Sequence, residues 1–199
     1  MKRILLIINL FFIGHLVLAQ GYKVGDEATA FNLKNVDGKM LSSDSFKDAK
    51  GFIVVFTCNE CPYAVAYLDR IIELDKKYKD KGFPVIAINP NDPDVQPADT
   101  YEKMIKKSKE KKFSFPYLYD PDRKISSIYG ATNTPHVYLL SKTNNKLTVE
   151  YIGAIDDNSQ DASKVTKPYL ANAIDALVVG KKPDISYTKA IGCGVKKKS

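Results

Sequence analysis

Phe52-Ile53-Val54-Val55-Phe56 is continuously apolar, and Cys58-Asn59-Glu60-Cys61-Pro62 follows it after a single residue. An unbroken, β-branched run of this length reads as a strand covered on both faces. Beyond the cysteines, Val65, Leu68, Ile71, Ile72 and Tyr78 fall on one helical stripe, with Glu73–Lys77 and Asp75–Lys79 expected to pair on the outside. A helix is therefore predicted from Pro62 to Lys81, closed by Gly82 at the C′ position. The two cysteines stand where a buried strand hands over to a helix, and that placement constrains everything else.

At a helix amino terminus the unpaired backbone N–H groups and the dipole favour an anion. A thiolate there is expected to have its pKa lowered from about 8.5, making Cys58 a nucleophile at neutral pH. Cys58, at the exposed end, would attack a substrate disulfide, and Cys61, one turn in, would resolve the mixed disulfide. Pro62 is tolerated because its missing N–H has no helical partner in the first turn. Two other uses of the cysteines stay open. Cys58, Cys61, Cys193 and His136 would make a Cys₃His zinc set, although no second closely spaced ligand pair accompanies them. A structural Cys58–Cys61 disulfide is the other, and so small a loop would constrain the unfolded chain little.

The remaining elements follow from periodicity and punctuation. Ala30 to Lys34 alternates as a strand, and Asp37-Gly38 turns it back through Met40-Leu41, giving an amino-terminal hairpin. Pro84 to Ile88 reads as a second buried strand and Asp99 to Lys112 as a second amphipathic helix, its basic run a solvated face. Asp120 is positioned to cap a short helix with Pro121 first and Gly130 last. Pro135–Leu140 and Leu147–Gly153 read as adjacent strands, and a last helix opens at Thr166 with Leu170, Ala173, Ile174 and Leu177 inward. Helix-separated early strands imply parallel crossovers, whereas the late pair implies antiparallel pairing.

The amino terminus is different in kind. Lys2 and Arg3 precede an apolar run from Ile4 to Leu18 that ends in small residues before Gln20. This describes a cleaved signal peptide over residues 1–19, with the domain over 20–199: a core of about 24–180 and a tail over 181–199. The chain is accordingly expected to be periplasmic or secreted, without a stable membrane span after cleavage. The formal charge of +7, two units of it in that segment, is spread over lysine-rich helices and a Lys196-Lys197-Lys198 tail. No aromatic-and-basic patch accompanies it, so nucleic acid is not an expected partner. Three cysteines are too few for a disulfide scaffold, which favours a chemical role for them.

The ordered stretches FTCNECPYAVAY, INPNDPD, FPYLYDPD, IYGATNTPHVYLL, YIGAIDDN and IGCGVK resemble the redoxin branch of the thioredoxin-like superfamily, close to the alkyl hydroperoxide reductase/thiol-specific antioxidant grouping. The resemblance runs from about residue 22 to 197. It implies an α/β thioredoxin fold: a central mixed sheet flanked by helices, with the hairpin as an amino-terminal extension and a carboxy-terminal tail. It also implies a thiol–disulfide oxidoreductase that needs no cofactor or metal, with a protein or small-molecule disulfide as substrate and a separate electron donor. Thr134-Pro135 occupies the place of the fold's cis-proline loop, so Thr134, Pro135 and His136 are the expected substrate groove. Thr57, Asn59, Glu60 and Pro62 are the expected tuning positions.

The departures from the family pattern matter too. Relatives often read C-N-H-C-P, where this chain has Glu60. A carboxylate there is expected to raise the Cys58 pKa and make the pair more reducing than one with histidine. The strand before the cysteines lacks the buried acid of thioredoxins, leaving the general base unidentified. The peroxidatic signature P-x-x-x-T-x-x-C is absent, because Val54 and Cys58 stand at its proline and threonine positions. A thiol-dependent peroxidase and a non-catalytic redoxin-fold binding protein are the alternatives. Cys193, between Gly192 and Gly194, is expected to act as an auxiliary thiol that exchanges with Cys58, the bland alternative being a buried inert cysteine.

Overall fold

The computed structural model describes residues 21–198. The predicted signal segment lies outside the described residues. The strands are β1 (Glu27–Ala28), β2 (Asn32–Asn35), β3 (Met40–Ser42), β4 (Gly51–Phe56), β5 (Val85–Asn89), β6 (Tyr117–Tyr119), β7 (Asn133–Thr134), β8 (His136–Thr143), β9 (Lys146–Gly153) and β10 (Cys193–Gly194). The helices are α1 (Pro62–Tyr78), α2 (Tyr101–Glu110), α3 (Lys124–Tyr129) and α4 (Tyr169–Val178).

Eight strands form one mixed sheet in the order β1-β9-β8-β4-β5-β6-β2-β3. β4, β5 and β6 are parallel neighbours, while β8 runs antiparallel to both β4 and β9. This is the thioredoxin fold with the expected hairpin, in which Leu33 faces Leu41. Alternation along β4 divides the core. Ile53 and Val55 pack with Tyr67, Ile71 and Leu74 of α1 and with Leu170 and Ile174 of α4. Phe52, Val54 and Phe56 pack on the opposite face with Ile125 and Tyr129 of α3. A bulge between Leu139 and Leu140 inserts Glu150 into β9, so Val149 and Ile152 reach one face while Tyr151 reaches the other.

Several elements differ from the sequence expectation. Val65 is 51% exposed, and Tyr67 takes the inward position instead. Asp75 does not pair with Lys79 outside. It is buried, accepting from the Val85 amide at 3.1 Å and the Ser114 hydroxyl at 2.6 Å, and so ties α1 to β5. Lys76, rather than Lys77, pairs with Glu73. Asp120 does cap α3, accepting from the Ile125 and Ser126 amides, but residues 121–122 form a turn and the helix begins only after Arg123. Thr166 precedes α4 and bonds Asp157 instead of opening the helix. No helix among the described residues is long and apolar enough to cross a membrane.

Candidate active site

The ladder of β4 continues through the Thr57 amide, which donates to the Ile88 carbonyl at 2.9 Å. Cys58 follows immediately, and Cys61 is the residue before α1, with Pro62 in the helix's first turn. Across the turn lies the loop between β7 and β8, whose Thr134–Pro135 peptide bond is cis. Cys58 Sγ lies 3.2 Å from Thr134 Oγ1, and Cys61 Sγ lies 3.1 Å from the Thr134 carbonyl oxygen. The structure thus brings Thr57, Cys58, Asn59, Cys61, Pro62, Thr134 and Pro135 together. Glu60 stands at the rim with its side chain exposed.

His136 belongs to a different neighbourhood. It pairs in register with Phe56 and stacks on Tyr138 at 4.9 Å, on the sheet face opposite α1. Its Nδ1 accepts from the Thr132 amide at 3.4 Å, and burial pulls its pKa down to about 4. Among the described residues no His, Cys, Asp or Glu trio is arranged to hold a metal ion.

Cys58 is not at an exposed end: it is 5% exposed and Cys61 is 7% exposed. The Cys58 thiol is pushed up from its ordinary pKa, first by burial and then by the negative charge of Asp99. Donation from Thr134 and from the Cys61 and Glu60 amides pulls the other way and loses. The expected lowering is therefore reversed. Burial withdraws the solvation that a thiolate needs, and the helix terminus does not replace all of it.

Asp99 is the site residue that the sequence did not announce, since it reads there as a helix start. It is fully buried, accepting from the Asn59 amide at 2.7 Å, Asn89 Nδ2 at 3.0 Å and Asn91 Nδ2 at 2.7 Å. Tyr117 donates to Asn59 Oδ1 at 3.0 Å, and Lys107 donates to the Asn59 carbonyl. Burial lowers the Lys107 pKa. The signal available was INPNDPD, polar side chains placed directly behind a buried strand.

The carboxy-terminal tail completes the site. β10 pairs antiparallel with β7, setting Cys193 opposite Thr134 and Gly194 opposite Asn133. Cys193 is in disulfide linkage with Cys61, Cα–Cα 6.0 Å, and Cys58 is the free cysteine. The expected neighbour of Cys193 was Cys58. In the structure Cys61 takes that place. A cavity of about 210 Å³ remains beside the sulfurs, bordered by Cys58, Cys61, Asp99, Thr134, Gly194 and Lys196.

Fold and cysteines together define the class, a thioredoxin-fold oxidoreductase. The chain belongs to the AhpC/TSA family, whose model matches residues 24–159. Thiol-disulfide oxidoreductase ResA of Bacillus thuringiensis subsp. konkukian (strain 97-27) is 27% identical over 132 residues, 65% of this chain and 70% of that one. A solved structure of an uncharacterized conserved protein from Geobacillus kaustophilus is 31% identical with a TM-score of 0.82, covering 90% of this chain and 94% of that one. A hypothetical protein from Sinorhizobium meliloti 1021 is 29% identical, also with a TM-score of 0.82, covering 90% of this chain and 97% of that one.

Proposed function

We propose that this chain is a thiol–disulfide oxidoreductase working in the periplasm or outside the cell, with Cys58 as the attacking sulfur and Cys61 as the resolving one. The observation that carries this reading is one free thiol and one disulfide packed in a single cluster at a strand-to-helix turn. A dithiol donor first reduces the Cys61–Cys193 bond. The Cys58 thiolate then attacks a substrate disulfide, forming a mixed disulfide and expelling one substrate thiolate. Cys61 attacks Cys58 Sγ, the second substrate thiolate leaves, and Cys58–Cys61 is the oxidised product. In the reduced protein the Thr134 carbonyl is positioned to accept from the Cys61 thiol. The Thr134 hydroxyl is positioned to donate to the Cys58 thiolate.

Turnover of insulin disulfides with a dithiol donor tests this reading. Cys58→Ser should abolish turnover, and Cys61→Ser should accumulate a mixed disulfide through Cys58. Trapping through Cys61 in the Cys58 variant would reverse the roles. Hydrogen peroxide in place of the disulfide tests the peroxidase alternative, and turnover of neither substrate would leave a binding protein. Location rests on the basic and apolar amino terminus. The mature chain should begin at or next to Gln20, and an exported species that retains residues 1–19 would argue against it.

A further inference from the structure

Thiol exchange requires a third sulfur to approach the reacting pair, yet both sulfurs of the turn are covered. The tail is part of that cover. Residues 192–196 thread between the loop before Pro135 and the loop after β5. The Val195 amide donates to the Thr132 carbonyl at 3.0 Å, and Asn133 Nδ2 donates to the Gly192 carbonyl at 2.9 Å. The Lys196 amide donates to Asn91 Oδ1 at 2.8 Å, and the Asp92 amide donates to the Lys196 carbonyl at 3.0 Å. Asn91 in turn donates to Asp99, so the Lys196 anchor adjoins the carboxylate whose charge acts on Cys58. Gly192 lies so close to the loop that a Cβ built on it would overlap the Thr134 carbonyl. The tail therefore fills the β7 edge beside the cysteines, the edge that an extended polypeptide would pair with.

We propose that this segment is a strap latched by Cys193, and that Cys58 undoes the latch by displacing Cys193 from Cys61. The step rests on the exchange chemistry of the preceding section. Cys58 gives up its proton and attacks Cys61 Sγ. The Cys58–Cys61 bond forms as the Cys61–Cys193 bond breaks, and the electron pair leaves on Cys193 Sγ, which takes up a proton. One disulfide stands before and one after, so no outside oxidant is needed. Without its covalent anchor the strap is held by its short pairing with β7 and these four hydrogen bonds. Its departure opens the β7 edge; the dithiol donor then reduces Cys58–Cys61, and the freed Cys58 meets a polypeptide disulfide at that edge, whereas a small disulfide can use the existing cavity.

Protein carrying a single disulfide is held without oxygen, quenched in acid, thiol-labelled and peptide-mapped. The latched form carries the label on Cys58 and the opened form carries it on Cys193. Gly192→Val, which cannot seat the strap, should raise the Cys193-to-Cys58 label ratio about tenfold or more. A label confined to Cys58 in both proteins overturns the internal exchange. Amide hydrogen exchange gives a second reading that does not depend on turnover. In Cys193→Ser, Val195 and Lys196 should exchange about tenfold faster than in the oxidised parent. Equal protection means that the strap is a fixed element and overturns the latch. The ratio of insulin to hydroxyethyl disulfide turnover should rise about fivefold or more in Cys193→Ser, and an unchanged ratio overturns the opening. Loss of turnover with both disulfides in the parent protein would instead bring down the oxidoreductase reading, leaving labelling and exchange to judge the strap.

Discussion

Cys58 sits between two influences of opposite sign, and the structure identifies the source of each. Thr134 and two backbone amides favour the thiolate; burial and Asp99 oppose it. Asp99→Asn removes the negative charge while keeping the side chain's shape, so the Cys58 pKa should fall. Its alkylation rate at pH 7 should rise about threefold or more, and an unchanged rate would mean that burial alone sets the thiol. Glu60 is expected to act less than its place between the cysteines suggested, because its side chain is exposed and screened. Glu60→His should therefore move the Cys58 pKa less than Asp99→Asn does. His136 offers a separate test. Its folded pKa of about 4 lies below the ordinary 6.5, so the native state resists protonation while the unfolded chain accepts it. The stability so conferred is complete above pH 6.5 and is lost as pH falls toward 4, by up to about 3 kcal/mol. His136→Phe should flatten that slope in urea titrations at pH 7, 5.5 and 4; an equal slope would assign the acid sensitivity to other groups.

Among the elements, α1 was legible because its stripe is long, yet its outer face was misjudged at Asp75 and the anchoring of Arg70 was missed. Periodicity identifies which face is buried but not which polar side chain has a buried partner. Arg70 donates to Asp156 at 2.7 Å and to the Asn158 and Ser159 carbonyls, while Tyr67 donates to Asp156 at 2.9 Å. The acidic stretch after β9 thus clamps the helix that carries the cysteines. Asp156→Ala strands a mostly buried guanidinium and should cost about 3 kcal/mol, seen as a lower urea midpoint. A loss within experimental error would mean that solvent replaces the carboxylate. β1, β6, β7 and β10 escaped the sequence altogether. They are two or three residues long, too short for a period of two to be distinguished from chance, and their partners lie far along the chain.

At the scale of the molecule, the parallel β4–β5 pair, the antiparallel β8–β9 pair and the cysteine turn followed from element order. The return of Cys193 to the cysteine turn was expected from the tail's resemblance, but the strand pairing along its path was not, because backbone pairing that leaves its side chains exposed imposes no hydrophobic pattern. Ile185, Tyr187 and Ile191 are all exposed. The tail nevertheless extends the sheet before it reaches the site. β9 has one edge covered by β1 at Leu147 and Thr148, and further along the tail takes over beside Ile152. There the Ile152 amide donates to the Ser186 carbonyl at 3.0 Å, and the Thr188 amide donates to the Ile152 carbonyl at 2.9 Å. Thr188 Oγ1 accepts from the Ala154 amide at 2.9 Å and lies 2.6 Å from the Tyr151 hydroxyl. Two truncations separate this edge-covering stretch from the strap beyond it. A chain ending at Lys189 keeps these four hydrogen bonds and loses only the strap, whereas one ending at Pro183 loses all of them and still keeps the Lys182–Glu150 ion pair. At about 1 kcal/mol net for each bond, the shorter chain should be less stable than the longer by about 4 kcal/mol. Denaturant unfolding of the two reduced proteins measures the difference. Equal midpoints would mean that the edge of β9 is as well satisfied by water as by the tail.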